Sequence, residues 1–133
     1  MYIPIIKNSP KPAYQQIIDS IRKRILTGEL MADEELPSIR RLAKNTKVSI
    51  ITVRRSYGDL EREGLIYSRP GMGYYVSEFN QQMLDDAKIK LITPLLQEVV
   101  NTAKELQLNE KKVKDLLNKM LEEKVQKGGR PNG

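Results

Sequence analysis

The sequence predicts a mainly α-helical chain with one small β-hairpin, and three features of its apolar pattern carry that reading. Between Tyr14 and Leu60 apolar residues recur at three- and four-residue steps in three successive runs, the spacing that gathers them on one face of a helix. After Gly64, two short runs of apolar, aromatic and β-branched residues flank a turn rich in glycine, as the strands of a hairpin do. From Gln81 the helical period returns, interrupted by a single proline at Pro94.

Residues 1–8 open with Tyr2, Ile3, Ile5 and Ile6 broken by Pro4, which suits an arm or an edge strand better than a central one. Pro12 can occupy the first helical position, and Tyr14, Ile17, Ile18, Ile21 and Ile25 form the stripe of a helix that Gly28 stops near Thr27. Glu29–Pro37 is an acidic connection whose Leu30 and Leu36 can tuck inward. Ser38 then caps a short helix with Ile39, Leu42 and Ala43 inward, ending near Asn45. Thr46-Lys47-Val48 is a tight connection, and Ser49 caps a third helix that turns Val53, Tyr57 and Leu60 to one side. Leu65-Ile66-Tyr67 and Tyr74-Tyr75-Val76 pair around Arg69–Gly73, a loop slightly longer than the tightest hairpin type. Helix, short helix, capped helix and hairpin, in that order, is the order of a winged helix-turn-helix, here residues 1–78.

Residues 79–127 carry two neighbouring apolar stripes on one long helix: Leu84, Ala87, Leu91, Leu95, Val99, Ala103 and Leu106, and beside them Ile89, Ile92, Leu96 and Val100. A lone helix on a small domain buries one face, so two stripes imply two surfaces to pack against. Thr93-Pro94 should kink or restart this helix, with Thr93 as a local cap. Asn109 caps a last helix with Val113, Leu116, Leu117, Met120, Leu121 and Val125 inward, the two helices reading as a hairpin. Leu84, Leu91, Ile92, Leu95, Leu96, Val99, Leu117, Met120 and Leu121 are the residues expected in a seam with a second copy. Residues 128–133 have no reason to be ordered.

At 133 residues the chain is one domain, or one small domain with an appendage. It contains no His, Cys or Trp, which excludes imidazole and thiolate metal sites, disulfides, thiol catalysis and Ser-His-Asp chemistry. The carboxylate clusters Asp33-Glu34-Glu35 and Asp85-Asp86 fall in a connection and at a helix start, where acids favour the helix dipole. Gly71-Met72-Gly73 is too little for a nucleotide fingerprint. No catalytic constellation is present, so neither an enzyme nor a metal or other cofactor is expected. The opening segment is too short in apolar residues for a secretory signal, no run reaches the length of a membrane span, and a cytoplasmic protein is expected.

The net charge of +6 favours a polyanionic partner without deciding for one. Its placement says more. Between Arg40 and Arg69 lie Arg40, Arg41, Lys44, Lys47, Arg54, Arg55, Arg62 and Arg69, opposed only by Asp59, Glu61 and Glu63. Arginine dominates that set, and its planar fork matches phosphate and guanine edges. The first turns of a recognition helix reach base edges in the major groove, and there Ser49, Thr52, Arg54 and Arg55 supply short polar groups and guanidinium. Arg40 would lie beside the backbone or the groove lip. At the hairpin tip Gly71 and Gly73 flank Met72, either because the turn needs positive φ or because backbone must approach a phosphate or the minor groove closely, with Arg69 adding charge. For Arg41, Lys44 and Arg62 a solvated face is the better reading.

Four blocks carry a resemblance: Leu36-Pro37-Ser38-Ile39-Arg40-Arg41-Leu42-Ala43, Val48-Ser49-Ile50-Ile51-Thr52-Val53-Arg54-Arg55, Leu60-Glu61-Arg62-Glu63-Gly64-Leu65-Ile66 and Gly71-Met72-Gly73-Tyr74-Tyr75-Val76. In this order and spacing, over residues 10–77, they resemble the GntR family of bacterial transcriptional regulators. The short helical tail is similar to that of the YtrA subfamily, whose tails make a homodimer and whose members are commonly repressors of transporter genes. The resemblance implies contacts with an operator in double-stranded DNA at Arg40, Ser49, Ile51, Thr52 and Arg54 and at the wing around Gly71. Two departures stand out. Ile50 replaces a usual arginine and could meet a thymine methyl instead, and Met31-Ala32-Asp33-Glu34 stands where the family more often has a Pro-Gly turn. A non-specific nucleic-acid-binding protein and a protein-interaction module stay open beside the regulator. A small-molecule effector is compatible with it, though no residue points to a ligand.

Overall fold

Three helices and a hairpin close over one apolar core, and each helix starts and stops where its local chemistry directs. The computed structural model describes residues 1–123, so the expectations for Val125 and for residues 128–133 lie outside the described residues. Helix α1 (Ala13–Leu26) starts from Pro12, which is the N-cap and not the first helical residue. The Pro12 carbonyl accepts the N–H groups of Gln15 and Gln16 at 3.0 and 3.1 Å. Helix α2 (Ile39–Thr46) is capped by Ser38, whose hydroxyl accepts the Arg41 N–H, and ends on Lys47 in the left-handed region at φ 60°. Helix α3 (Ile50–Arg62) is capped in the same way by Ser49, which accepts from Thr52. Gly64 follows with φ 80°, a value glycine adopts without a side-chain clash.

The core gathers Ile17, Ile18, Ile21 and Ile25 from α1, Leu42 from α2, Val53, Tyr57 and Leu60 from α3, and Ile66 and Val76 from the hairpin, with Ile3 of the arm added. Tyr57 is its largest fully buried side chain. The hydroxyl donates to the Pro37 carbonyl at 2.7 Å, and the ring meets Tyr74 edge-on at 5.0 Å. Burial, with a smaller contribution from Tyr74, pushes this hydroxyl above its ordinary pKa. Tyr57→Phe keeps the ring and orphans the carbonyl. It should lower unfolding free energy by about 1 kcal/mol, read as a lower urea midpoint; an unchanged midpoint would show that the bond contributes nothing. Arg22 ties α1 to the end of α3 through a two-pronged pair with Glu63 at 3.0 and 2.6 Å.

Strands β1 (Ile66–Arg69) and β2 (Gly73–Val76) pair antiparallel with Ile66 opposite Val76, Tyr67 opposite Tyr75, Ser68 opposite Tyr74 and Arg69 opposite Gly73. Alternation sends Ile66 and Val76 into the core and leaves Tyr67 and Arg69 on the other face. The connection before α2 forms a third border on β2. Asp33 N–H donates to Val76 O at 2.8 Å, Val76 N–H to Glu34 O at 3.0 Å, and Leu36 N–H to Tyr74 O at 2.9 Å, with Glu35 bridged to Tyr75.

Helices α4 (Gln81–Glu105) and α5 (Glu110–Glu122) follow. Chain contacts divide into two compact units, 1–88 and 89 onward. The first turns of α4 belong to the winged unit, and there Leu84 and Ala87 are half-buried against the core. Leu84 shares one face with Ala87, three residues on, and turns part of its side chain to its own domain. Pro94 lies inside α4 without restarting it. Thr93 is not a cap, because its hydroxyl donates back to the Ile89 carbonyl at 2.7 Å within the same helix. Asn109 caps α5 as its sequence implies. Beyond Lys88 no described residue is buried, and only Ala103 and Val113 are half-buried. The two helices share almost no packing along their lengths, so the hairpin does not close within one chain.

Candidate nucleic-acid interface

The caps that start α2 and α3 also build the face between them. Ser49 Oγ accepts the Thr52 N–H at 3.0 Å, and the two hydroxyls lie 2.8 Å apart. Both polar groups are thereby fixed at the first turn of α3, Ser49 exposed and Thr52 half-buried. Ile51 stands 74% exposed, a large apolar side chain that the fold itself does not use. Arg54, one turn along, is exposed, as is Arg40 near the start of α2. Neither makes an ion pair or side-chain hydrogen bond among the described residues.

Two neighbours in sequence point elsewhere. Ile50 is half-buried against the core, because it shares the three- and four-residue stripe of Val53 and Tyr57. Ile51 is the more outward of the two apolar residues, and Ile50 keeps only part of its side chain exposed. The Arg55 guanidinium lies 3.5 Å over the Tyr14 ring, beside the bond from Ser56 Oγ to the Tyr14 carbonyl at 2.9 Å. Exposed like Arg54, it differs in resting on an aromatic ring, a contact that helps to hold α3 to α1.

The hairpin tip carries Met72 well exposed between Gly71 (φ 73°) and Gly73 (φ 109°). A side chain on Gly71 would meet nothing within the protein, and one on Gly73 would meet the Glu35 carboxylate only at ordinary contact distance. Positive φ in the turn, not internal crowding, therefore accounts for both glycines.

Arg69 is held by a tyrosine pair that the sequence did not single out. Its Nη2 donates to Tyr67 Oη at 2.8 Å, and its guanidinium lies 4.2 Å over the Tyr75 ring. The Tyr67 hydroxyl donates to Asp33 Oδ1 at 2.7 Å, and the Tyr67 and Tyr75 rings stack at 5.8 Å. The bond to Asp33 raises the Tyr67 pKa above its usual value, and the bond to Tyr67 raises that of Arg69. Asp33, left-handed at φ 65°, thus fills the place of the family's Pro-Gly turn and reaches the wing. The strand register, once known, would have revealed the pair; residue type alone would not. Among the described residues no group of three His, Cys, Asp or Glu is placed to hold a metal ion.

The model of the family described as bacterial regulatory proteins, gntR family, matches residues 13–76, the span from the start of α1 to the end of β2. The chain is also 37% identical over 105 residues to the uncharacterized HTH-type transcriptional regulator YhcF of Bacillus subtilis, covering 79% of this chain and 86% of that one. This chain belongs to the GntR family. The HTH-type transcriptional repressor YtrA of Bacillus subtilis is 35% identical to this GntR chain over 98 residues, covering 74% and 75% of the two. A GntR family transcriptional regulator from Listeria monocytogenes superposes with a TM-score of 0.72 at 28% identity, covering 84% of this chain and 97% of that one. The DNA-binding domain of AraR, in complex with operator ORX1, matches with a TM-score of 0.53 at 29% identity over 58% and 99% of the two chains. Like its short YtrA-like relatives, this GntR chain is a DNA-binding transcriptional regulator with a mainly helical winged helix-turn-helix and two helices after it, and its family is regulatory, not enzymatic. Among the described residues no helix is long and apolar enough to cross a membrane.

Proposed function

We propose that this GntR chain is a sequence-specific repressor that binds a near-palindromic operator as a homodimer in the cytoplasm. The observation that carries the reading is the outward first half of α3, where Ile51 and Arg54 are exposed and unpaired among the described residues. Arg54 then reads base edges and Ile51 meets a thymine methyl in the major groove. Ser49, Thr52 and Arg40 contact the sugar-phosphate backbone. Arg69 and the Gly71-Met72-Gly73 tip approach the adjacent minor groove, where a guanidinium favours narrow A·T tracts.

Pairing is supported by the exposed Leu91, Ile92, Leu95, Leu96 and Val99 on α4 and Leu117, Met120 and Leu121 on α5. Exposed apolar rows on both helices mark a protein interface, and a two-fold pairing of identical chains matches a palindromic site. Repressors among its relatives support the sign of regulation, and the subfamily resemblance favours transporter genes as targets.

Duplexes selected by the purified protein from a random pool provide the test. The enriched DNA should contain an inverted repeat and bind at least about a thousandfold more tightly than random duplex at the same salt. Equal affinity for both would mark a non-specific binder and overturn the reading.

A further inference from the structure

The segment ahead of α1 is pinned to the winged domain. Ile3 is 2% exposed, within the core. Gln16 clamps the backbone on both sides: its Oε1 accepts the Ile6 N–H at 2.8 Å, and its Nε2 donates to the carbonyls of Ile6 and Lys11, each at 2.9 Å. Arg24 Nη2 donates to the Tyr2 carbonyl at 2.6 Å. Between this arm, the start of α1 and the turn joining α2 to α3 lies a groove of about 520 Å³.

Three cations line that groove, Lys7 and Lys11 from the arm and Lys47 from the turn, and no Asp or Glu does. Lys11 is paired with Asp19 at 2.8 Å. Lys7 and Lys47 are exposed and have no acidic partner among the described residues. Lys47 also holds φ 60°, a conformation in which glycine would be less strained than lysine. The groove includes Val48, the residue before the Ser49 cap of α3, so it opens beside the first turn of the helix assigned to the major groove.

We propose that Lys7 and Lys47 form a second, sequence-independent contact with the phosphates of duplex DNA, made by the arm and the turn and not by α3 or the wing. This rests on the operator-binding reading for the placement of α3. The fixed arm presents Lys7 without the ordering cost of a loose tail, and the acid-free lining leaves both charges uncompensated until a polyanion arrives. Each contact releases condensed counterions when it forms, so each appears in the salt dependence of binding.

The test titrates operator and random duplex with the full chain, with Lys7→Gln and with Lys47→Gly, between about 0.05 and 0.2 M salt. Each variant should lower the slope of log affinity against log salt by about 0.9 per bound protomer. It should weaken operator and random duplex by the same factor, roughly three- to tenfold. Lys47→Gly should melt no lower than the parent, because glycine relieves the positive φ, and this separates lost binding from lost folding. Unchanged slopes in both variants would overturn the proposal. So would stabilisation of the free protein by inorganic phosphate that disappears in Lys7→Gln, which would mark a site for a small anion. If the parent fails to distinguish operator from random duplex while the slopes still fall, the sequence-specific reading fails and the backbone contact stands.

Discussion

Leu95→Glu should turn a dimer into a monomer and cut operator affinity at least about a hundredfold. Leu95 is 59% exposed in the single chain, and with Leu91 and Val99 it forms one row along α4 at four-residue spacing. Burying a leucine contributes about 1.5–3 kcal/mol, and a carboxylate in the same place would lose that and demand hydration or a partner. A two-fold seam presents the change on both copies, so its cost is felt twice. Separated protomers would engage half-sites one at a time and lose the roughly 10²–10⁴-fold gain of linked binding. Sedimentation of parent and variant checks the assembly, and operator titration checks the consequence. A parent that sediments as a monomer at micromolar concentration would refute the seam itself.

Arg54→Ala should remove about 1–3 kcal/mol of operator binding while leaving the fold at its original stability. The second half follows from the absence of ion pairs and side-chain hydrogen bonds at Arg54 among the described residues. Affinity for random duplex should fall much less, so the ratio between operator and random DNA narrows. If that ratio is preserved, Arg54 contacts backbone and reads no base. Arg55→Ala provides the contrast. Removing its stack on Tyr14 should cost stability of about 0.5–1 kcal/mol with little effect on the ratio. Two adjacent arginines are thus expected to fail in opposite ways.

That contrast also marks where the sequence stops being legible. Ser38, Ser49 and Asn109 could be read as caps because a cap is a local bargain between one side chain and an N–H three residues on. Val53, Tyr57 and Leu60 could be read as core because their spacing leaves no other face. Arg54 and Arg55 are equivalent on those grounds. What separates them is a turn of about 100° on the helix and the presence of Tyr14 forty-one residues earlier, a tertiary fact with no local signal. Ile50 shows the same limit from the other side: its spacing from Val53 is visible, but how much of it stays exposed is not.

Thr93-Pro94 misled for a different reason. Threonine ahead of proline is the pattern of a helix start, but here the threonine hydroxyl returns to Ile89 and the helix runs on. The strand-like run 33–36 offered too few residues for an alternating pattern, and only its hydrogen bonds to β2 define it. The groove lined by Lys7 and Lys47 is assembled from segments some forty residues apart, which no window along the chain can join.

Among the described residues, the border that residues 33–36 place on β2 leaves the small sheet with a single open side, the four residues of β1. That side ends in Ser68 and the charged Arg69, and short, polar, cationic margins discourage intruding strands from adding to a sheet. A concentrated, DNA-free preparation should accordingly resist fibril-type growth from the wing, and whatever clustering it shows should be helical in origin and suppressed by the same glutamate that splits the pair.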